Sequence, residues 1–293
     1  MKKLFSLVAI GMMVTWLGVA CKKETDKPTP PTVPEPSTPG QPNEPVNTPE
    51  TSPHILKAVT KNIPNSNAMG YYVALPSRYD QTDIKYPILI YLHGAGQIGN
   101  GSTELHRVLN AGTAKVIADK KFPPNFQVDG QNYSFIVVMP QFRGEPSVND
   151  VKDFVDYALA NYRHDPKRVY VSGSSMGGRK TAAFACTFPT IPAAIVPMAG
   201  ALFYDLEKNA KNIADNRVAA WLFHNENDVS ISVDESKNFV KAVNSFNPAI
   251  KARITVFPWS DSPQGHDAWT IPTNPDYKEN GVNIYEWMLQ YKR

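Results

Sequence analysis

From residue 54 onward, short unbroken apolar runs alternate with longer stretches that have helical spacing. The runs PILIYL (87–92) and FIVVM (135–139) are typical of strands buried on both faces of a parallel sheet. In 148–162, Val151, Phe154 and Ala158 recur every three or four residues, which predicts an amphipathic helix. The predicted strands are 69–76, 86–92, 135–139, 169–171, 195–198, 219–223 and 254–257, and the predicted helices are 148–162, 179–188, 233–246 and 282–291.

The order of these segments predicts the fold class. Strands that alternate with helices are joined by crossover connections, which produce a mostly parallel central sheet with helices on both faces. Of the 293 residues, 42% are apolar, which is enough for one sizeable core. We therefore expect one α/β domain over 54–293.

The first 53 residues have a different pattern. Lys2 and Lys3 precede an apolar run that ends in small residues before Cys21, which predicts a signal peptide over 1–20. The LGVAC sequence resembles the lipobox of bacterial lipoproteins, although Gly18 stands where that motif has Leu, and an ordinary cleaved signal is the alternative. The resemblance implies lipidation of Cys21 and anchoring in the cell envelope, with the outer membrane favoured. The charges of Lys22, Lys23 and Glu24 directly after the cysteine are compatible with export to the outer surface. Residues 21–53 are rich in Pro and Thr, which predicts a disordered linker.

Charge and cysteine content exclude several classes. The net charge of +3 gives no electrostatic signal for nucleic acid, so a membrane partner is expected only through the lipid. Of the two cysteines, Cys186 lies in an apolar helical stretch and is expected to be a packing residue. No metal or organic cofactor is expected, since no cluster of metal-ligating residues such as H-E-x-x-H appears. The sequence carries no signal for an oligomeric state.

A nucleophile elbow is the strongest chemical signal. Gly173-Ser174-Ser175-Met176-Gly177 follows the predicted strand 169–171 and precedes a helix, which is the context that the G-x-S-x-G motif requires. The tight turn raises the Ser175 hydroxyl above the sheet, and the two glycines let strand and helix approach closely. A Gly/Ser turn without chemistry is the alternative.

The acid and the base that such a serine needs follow in the expected order. Asp228 lies in the loop after strand 219–223, with Glu226 and Asp234 as competitors. His266 is the only histidine after Asp228, and it follows strand 254–257. The remaining histidines are expected to be structural or solvated: His54, His106, His164 and His224.

The loop after strand 86–92 is expected to complete an oxyanion hole. The backbone N–H of Ala95 is the candidate donor, together with that of Met176. His93 is expected to brace this loop rather than transfer protons. The loop also fits the dinucleotide pattern Gly94-x-Gly96-x-x-Gly99, but no helix opens at the third glycine, which argues against a nicotinamide-binding protein.

The motifs YLHGAG, GSSMGG, HNENDVSIS and GHDAW together resemble an esterase and peptidase group of the α/β-hydrolase superfamily, near the feruloyl and acetylxylan esterases and the polyhydroxybutyrate depolymerases. The resemblance covers about 71–293 and implies an α/β-hydrolase fold with Ser175 as nucleophile, Asp228 as acid and His266 as base. One departure is Asn225, where similar sequences commonly have Gly.

The resemblance also suggests a substrate cleft. Gln141 resembles part of a Pro-Gln pair of some relatives and is expected to line the cleft, as are Trp259 and Trp269, with loop packing as the alternative for both tryptophans. We expect an esterase acting on acylated extracellular polysaccharide, with feruloyl or acetyl groups. A peptidase of the same fold, or an inactive surface protein that binds glycans, is the alternative.

Overall fold

The computed structural model describes residues 48–201 and 204–293. The strands are β1 (Ile55–Val59), β2 (Ala68–Leu75), β3 (Tyr86–Leu92), β4 (Phe126–Val128), β5 (Gln131–Tyr133), β6 (Ile136–Phe142), β7 (His164–Ser174), β8 (Ala194–Met198), β9 (Ala219–Asn225) and β10 (Arg253–Phe257). The α-helices are α1 (Gly112–Ala118), α2 (Val148–Asn161), α3 (Met176–Thr187), α4 (Leu206–Asp215), α5 (Val233–Ser245), α6 (Thr270–Thr273) and α7 (Ile284–Leu289). Short 3-10 helices lie at Tyr79–Gln81, Ala95–Gln97, Leu105–Asn110 and Pro263–Gly265. The predicted signal peptide and Cys21 lie outside the described residues.

A central sheet of eight strands has the order β1-β2-β6-β3-β7-β8-β9-β10. The six strands from β6 to β10 along this order pair in parallel, whereas β1 and β2 form an antiparallel edge. The chain leaves β3 toward β6 on one side and later returns to β7 on the other. In open α/β sheets, the carboxyl ends of the strands at such a point form the ligand crevice.

The apolar runs form strands because both faces of the sheet are covered. All seven residues of β3 are buried. Ile88, Ile90 and Leu92 pack in a core that contains residues of α2, α3, α4 and α5, whereas Leu89 and Tyr91 pack in a second core with residues of α1 and α7. The prediction of a mostly parallel sheet with helices on both faces is confirmed.

At the starts of α2 and α7, side chains satisfy free N–H groups of the helix. Ser147 and Asp150 form a capping box at the start of α2, and Asn283 and Glu286 form another at α7. In α2 the predicted apolar stripe, which includes Val151, is buried. No helix in the described ranges is long and apolar enough to cross a bilayer.

Some elements differ from the sequence prediction. Strand β7 has 11 residues rather than three, and α3 begins at Met176 rather than at residue 179. The short edge strand β1 and the polar helix α4 were not predicted, because most residues of β1 are exposed and α4 buries only three residues. At the end of the predicted linker, Glu50 is 4% exposed and accepts a hydrogen bond from the Tyr86 hydroxyl at 3.0 Å, so residues near it contact the domain.

Candidate active site

Ser175 occupies a strained turn between β7 and α3. Its backbone has φ 52° and ψ −116°, a conformation that residues other than glycine rarely adopt. The turn is fixed on both sides, because the Ser175 N–H donates to the Met198 carbonyl at 2.8 Å and the Ser175 carbonyl accepts from the Arg179 N–H at 3.0 Å. The rest of the fold therefore holds the serine in place at the carboxyl end of the strand.

Two glycines permit this turn. A methyl group added to Gly177 would lie 2.0 Å from the Leu92 carbonyl oxygen, and one added to Gly173 would lie 2.6 Å from the Gly177 carbonyl carbon. Both distances are too short for any side chain. The glycines of the motif are required by the close contact of α3 with β3 and β7.

The structure brings the three predicted triad side chains together. Nε2 of His266 lies 2.8 Å from Oγ of Ser175, and Nδ1 of His266 lies 2.7 Å from Oδ2 of Asp228. The imidazole side chain is 18% exposed and the carboxylate is fully buried. These distances are those of direct hydrogen bonds between residues separated by 91 and 38 positions in the chain.

The carboxylate of Asp228 is held by the loop that carries it. Its Oδ1 accepts hydrogen bonds from the N–H groups of Ser230 and Ile231, at 2.9 and 3.0 Å, which leaves Oδ2 for His266. The two competing acids lie elsewhere: Glu226 pairs with Lys237 at 2.8 Å, and Asp234 is exposed in the first turn of α5.

A second histidine lies behind the carboxylate. His224 is buried, its Nε2 lies 3.0 Å from the Ile231 carbonyl and 3.2 Å from Oδ2 of Asp228, and its Nδ1 lies 2.8 Å from the Ser236 hydroxyl. Burial lowers the pKa of His224, opposed by the Ile231 carbonyl and the Asp228 carboxylate. A neutral ring that donates through Nε2 and accepts from Ser236 fits these contacts. The sequence analysis treated His224 as structural and did not place it at the acid.

The base is supported by an aromatic ring. Trp269 lies edge-on to the His266 ring, with centroids 5.3 Å apart, and packs partly buried against the second core. The short segment after His266 is fixed by Asp267, whose carboxylate accepts from the N–H groups of Trp269 and Thr270.

The predicted oxyanion donors lie next to the elbow. A methyl group added to Gly94 would lie 3.6 Å from Cβ of Ser175, so the loop after β3 packs directly on the nucleophile. Ala95 begins a 3-10 helix and Met176 begins α3. N–H groups in a first helical turn have no partner within the helix and suit a negative charge.

His93 braces this loop through both ring nitrogens. Its Nδ1 bonds to the Gly94 carbonyl at 2.7 Å, and its Nε2 accepts from the Phe142 N–H at 3.0 Å. Burial lowers the pKa of His93 to about 4, although the Gly94 carbonyl opposes the shift. After Gly99 the chain continues into a turn and the 3-10 helix Leu105–Asn110, which differs from the dinucleotide-binding arrangement.

The prediction that Gln141 lines a cleft is wrong. Gln141 is 0% exposed, and its amide is used within the protein: Oε1 accepts from the Gly101 N–H at 2.8 Å, and Nε2 donates to the carbonyls of Gln97 and Glu104. It fixes the loop that follows the oxyanion segment. From the sequence, a polar residue near the end of a buried strand could face either solvent or the neighbouring loop, so the pattern could not decide the role of Gln141.

Trp259 differs from Trp269 in exposure. It is 67% exposed, and its indole N–H donates to Asp261 at 2.8 Å, which orients the ring at the surface of the loop that leads to His266. Val229, next to Asp228 in the acid loop, is 79% exposed. The loops around the triad therefore present apolar surface to solvent.

No group of three or more metal-ligating side chains occurs within 48–201 and 204–293. Cys186 is buried, and burial raises the pKa of its thiol to about 12. The thiol is therefore protonated at neutral pH, which fits a packing residue.

Comparison with known proteins finds two curated relatives that each match part of the chain. No family model matches the chain. Over 58 residues, or 20% of the chain, it is 41% identical to poly(3-hydroxyalkanoate) depolymerase C of Paucimonas lemoignei, and the match covers 14% of that protein. Over 168 residues, or 52% of the chain, it is 24% identical to acetylxylan esterase A of Emericella nidulans, and the match covers 48% of that protein. The chain thus spans less than half the length of these curated relatives.

Solved structures agree on the fold. A thermostable esterase superposes with a TM-score of 0.57 at 23% identity, covering 82% of this chain and 63% of the esterase. The feruloyl esterase module of Clostridium thermocellum, solved with sinapinate, gives a TM-score of 0.52 at 17% identity and covers 78% of this chain and 88% of the module. The chain has the α/β-hydrolase fold. The predicted resemblance to its esterases is confirmed, because the matches come from that group.

Proposed function

We propose that this protein is a serine hydrolase that cleaves carboxylic esters. The observation that carries the proposal is the continuous hydrogen-bonded chain from Ser175 through His266 to Asp228, with contacts of 2.8 and 2.7 Å. A serine hydroxyl is a weak nucleophile until an adjacent base takes its proton, and the base needs a carboxylate to orient it. This site contains all three parts on the fold in which they commonly act together.

The proposed reaction proceeds through an acyl-enzyme. Nε2 of His266 accepts the Ser175 proton as Oγ attacks the ester carbonyl carbon. The buried Asp228 carboxylate stabilises the imidazolium that forms. The imidazolium then protonates the departing alcohol as the carbon–oxygen bond to it breaks, and an acyl-serine remains. Water, deprotonated by the same imidazole, attacks the acyl carbon, and the acid is released with Ser175 reprotonated.

The oxyanion formed in each attack is assigned to the N–H groups of Ala95 and Met176. Both groups begin helical segments on either side of the elbow, where free N–H groups favour negative charge. Removing one such donor in other serine hydrolases costs about 3 to 4 kcal/mol of transition-state stabilisation. His93 supports this role by fixing the loop that carries Ala95.

We assign the substrate class to acylated extracellular polysaccharide, with feruloyl or acetyl groups. The support is twofold: the similar proteins include an acetylxylan esterase and a feruloyl esterase module, and an exposed, oriented indole at Trp259 suits stacking on a sugar ring or an aromatic acyl group. Trp269 contacts His266, and we assign its ring to the substrate-binding surface as well. The chain is proposed to be exported and anchored through lipidated Cys21, with residues 21–53 as a spacer.

A substrate panel tests the proposal. Acetylated xylan, methyl ferulate, short nitrophenyl esters and a peptide amide are offered to the full chain, with Ser175→Ala as the control. We expect ester hydrolysis that the control lacks, with acetyl or feruloyl esters preferred. Cleavage of the peptide amide alone would assign a peptidase, and binding of xylan without cleavage of any ester would assign a glycan-binding protein.

A further inference from the structure

The loop that carries the acid and the loop that carries the base are bonded to each other along their length. The Val229 N–H donates to the Gln264 carbonyl at 3.0 Å, and the Glu226 N–H donates to the Phe257 carbonyl at 2.8 Å. The Asn227 side chain makes two hydrogen bonds to the backbone of Ser260. Its Nδ2 donates to the Ser260 carbonyl, and its Oδ1 accepts from the Ser260 N–H, each at 3.0 Å. The position of the base therefore depends on the acid loop and not only on its own segment.

One of these contacts lies directly beside the catalytic histidine. Asn225, the last residue of β9, is 1% exposed, and its Nδ2 donates to the Gly265 carbonyl at 2.7 Å. This carbonyl belongs to the peptide group that joins Gly265 to His266. In the part of the chain that the structure describes, Oδ1 of Asn225 is buried without a hydrogen-bond partner. The hydrogen bond of the Asn225 side chain is therefore the one that its Nδ2 donates, and its amide oxygen is unsatisfied.

The backbone before His266 needs such a restraint. Gln264 and Gly265 have φ values of 62° and 64°, so two consecutive residues are left-handed. For Gln264, which is not a glycine, this conformation persists only where its surroundings hold it. Gly265 is in contact with the acid loop, because a methyl group added to it would lie 2.3 Å from the Asn227 carbonyl oxygen.

We propose that Asn225 is a positioning residue, whose amide fixes the peptide before His266 and so aligns the imidazole between Ser175 and Asp228. The inference rests on the proposed hydrolase function for its kinetic test, and a spectroscopic test makes it independent of activity.

The kinetic test uses Asn225→Ala and Asn225→Leu, the second of which keeps a similar side-chain shape and removes the donor. With a nitrophenyl ester we expect kcat to fall about 10- to 100-fold in both variants, because a misplacement of about 1 Å has an effect of that order. KM should stay within about twofold, since Asn225 does not touch the substrate surface.

The matched control is Asn244→Ala. The Asn244 side-chain amide also holds a backbone segment: its Nδ2 donates to the Ala252 carbonyl and its Oδ1 accepts from the Ala252 N–H, both at 2.9 Å. Asn244 lies on α5, away from the triad. We expect kcat within about twofold of wild type for this variant. Urea unfolding curves of all variants establish that the measured protein is folded.

The second readout is the downfield proton resonance of the His266 Nδ1–H in its bond to Asp228, identified by its loss in His266→Ala. It should shift or broaden in Asn225→Ala and stay unchanged in Asn244→Ala. The proposal is overturned if Asn225→Ala keeps both kcat and this resonance, or if KM alone changes. If the wild type hydrolyses no ester, the hydrolase proposal fails, and the resonance still decides the role of Asn225.

Discussion

Mild acid should destabilise this fold through a buried histidine beside the active site. His93 is 1% exposed, and its Nε2 accepts from the Phe142 N–H. Protonation would place a second donor against that N–H, and the new charge would lie in the core. Burial therefore holds the pKa of His93 at about 4 in the folded protein.

The magnitude follows from the difference between the folded and the unfolded pKa. The unfolded value is about 6.5, so between pH 6.5 and 4 the unfolded state binds a proton that the folded state does not. The free energy of unfolding therefore falls as the pH falls, by about 1.2 kcal/mol for His93 between pH 7.0 and 5.5. His54, whose pKa burial also lowers to about 4, should contribute a similar amount.

The assay is urea unfolding at pH 7.0 and 5.5 for wild type and His93→Asn. The variant is expected to be less stable at both pH values, but its loss between them should be smaller than that of wild type by about 1.2 kcal/mol. His106→Asn is the matched control, because His106 is exposed and should leave the pH difference unchanged. An equal pH difference in wild type and His93→Asn would refute the reasoning.

Three further predictions concern the turn at Ser175 and the exposed Trp259. In a thermal melt, Gly177→Ala should cost more than about 3 kcal/mol of stability, because the methyl group would lie 2.0 Å from the Leu92 carbonyl oxygen. Gly144→Ala is the control and should melt as wild type does, because a methyl group there meets nothing within 4 Å. Ser175→Gly should be more stable than Ser175→Ala by about 1 kcal/mol in urea, since glycine relieves the strained φ, and equal stability would argue against strain. Trp259→Ala should raise KM for acetylated xylan several-fold and leave a nitrophenyl ester unchanged; equal effects on both would remove Trp259 from polymer binding.

The sequence predicted the sheet because a strand buried on both faces needs an unbroken apolar run, and β3 has one. It also predicted the elbow, because only glycines fit at residues 173 and 177. Both signals are local, since they depend on residues that are adjacent in the chain.

The rest depends on how distant loops return. Asn225 contacts Gly265 across 40 residues, so this contact has no local pattern. His224 is only four residues from Asp228, but its contact with the carboxylate depends on the path of the acid loop, since its Nε2 also contacts the Ile231 carbonyl. The incorrect prediction for Gln141 has the same cause. A polar residue at the end of a buried strand fits a cleft or a braced loop equally well, and only the path of the loop that contains Gln97 and Gly101 decides between them.

The central claim is that Ser175 is an activated nucleophile. A fluorophosphonate probe reacts with such a serine, and peptide mapping by mass spectrometry identifies the modified residue. The account predicts one adduct on the peptide that contains Ser175 in the wild type, a much slower reaction in His266→Ala, and none on that peptide in Ser175→Ala. A wild-type protein that is folded and remains unlabelled, or that carries the adduct at another serine, would contradict it.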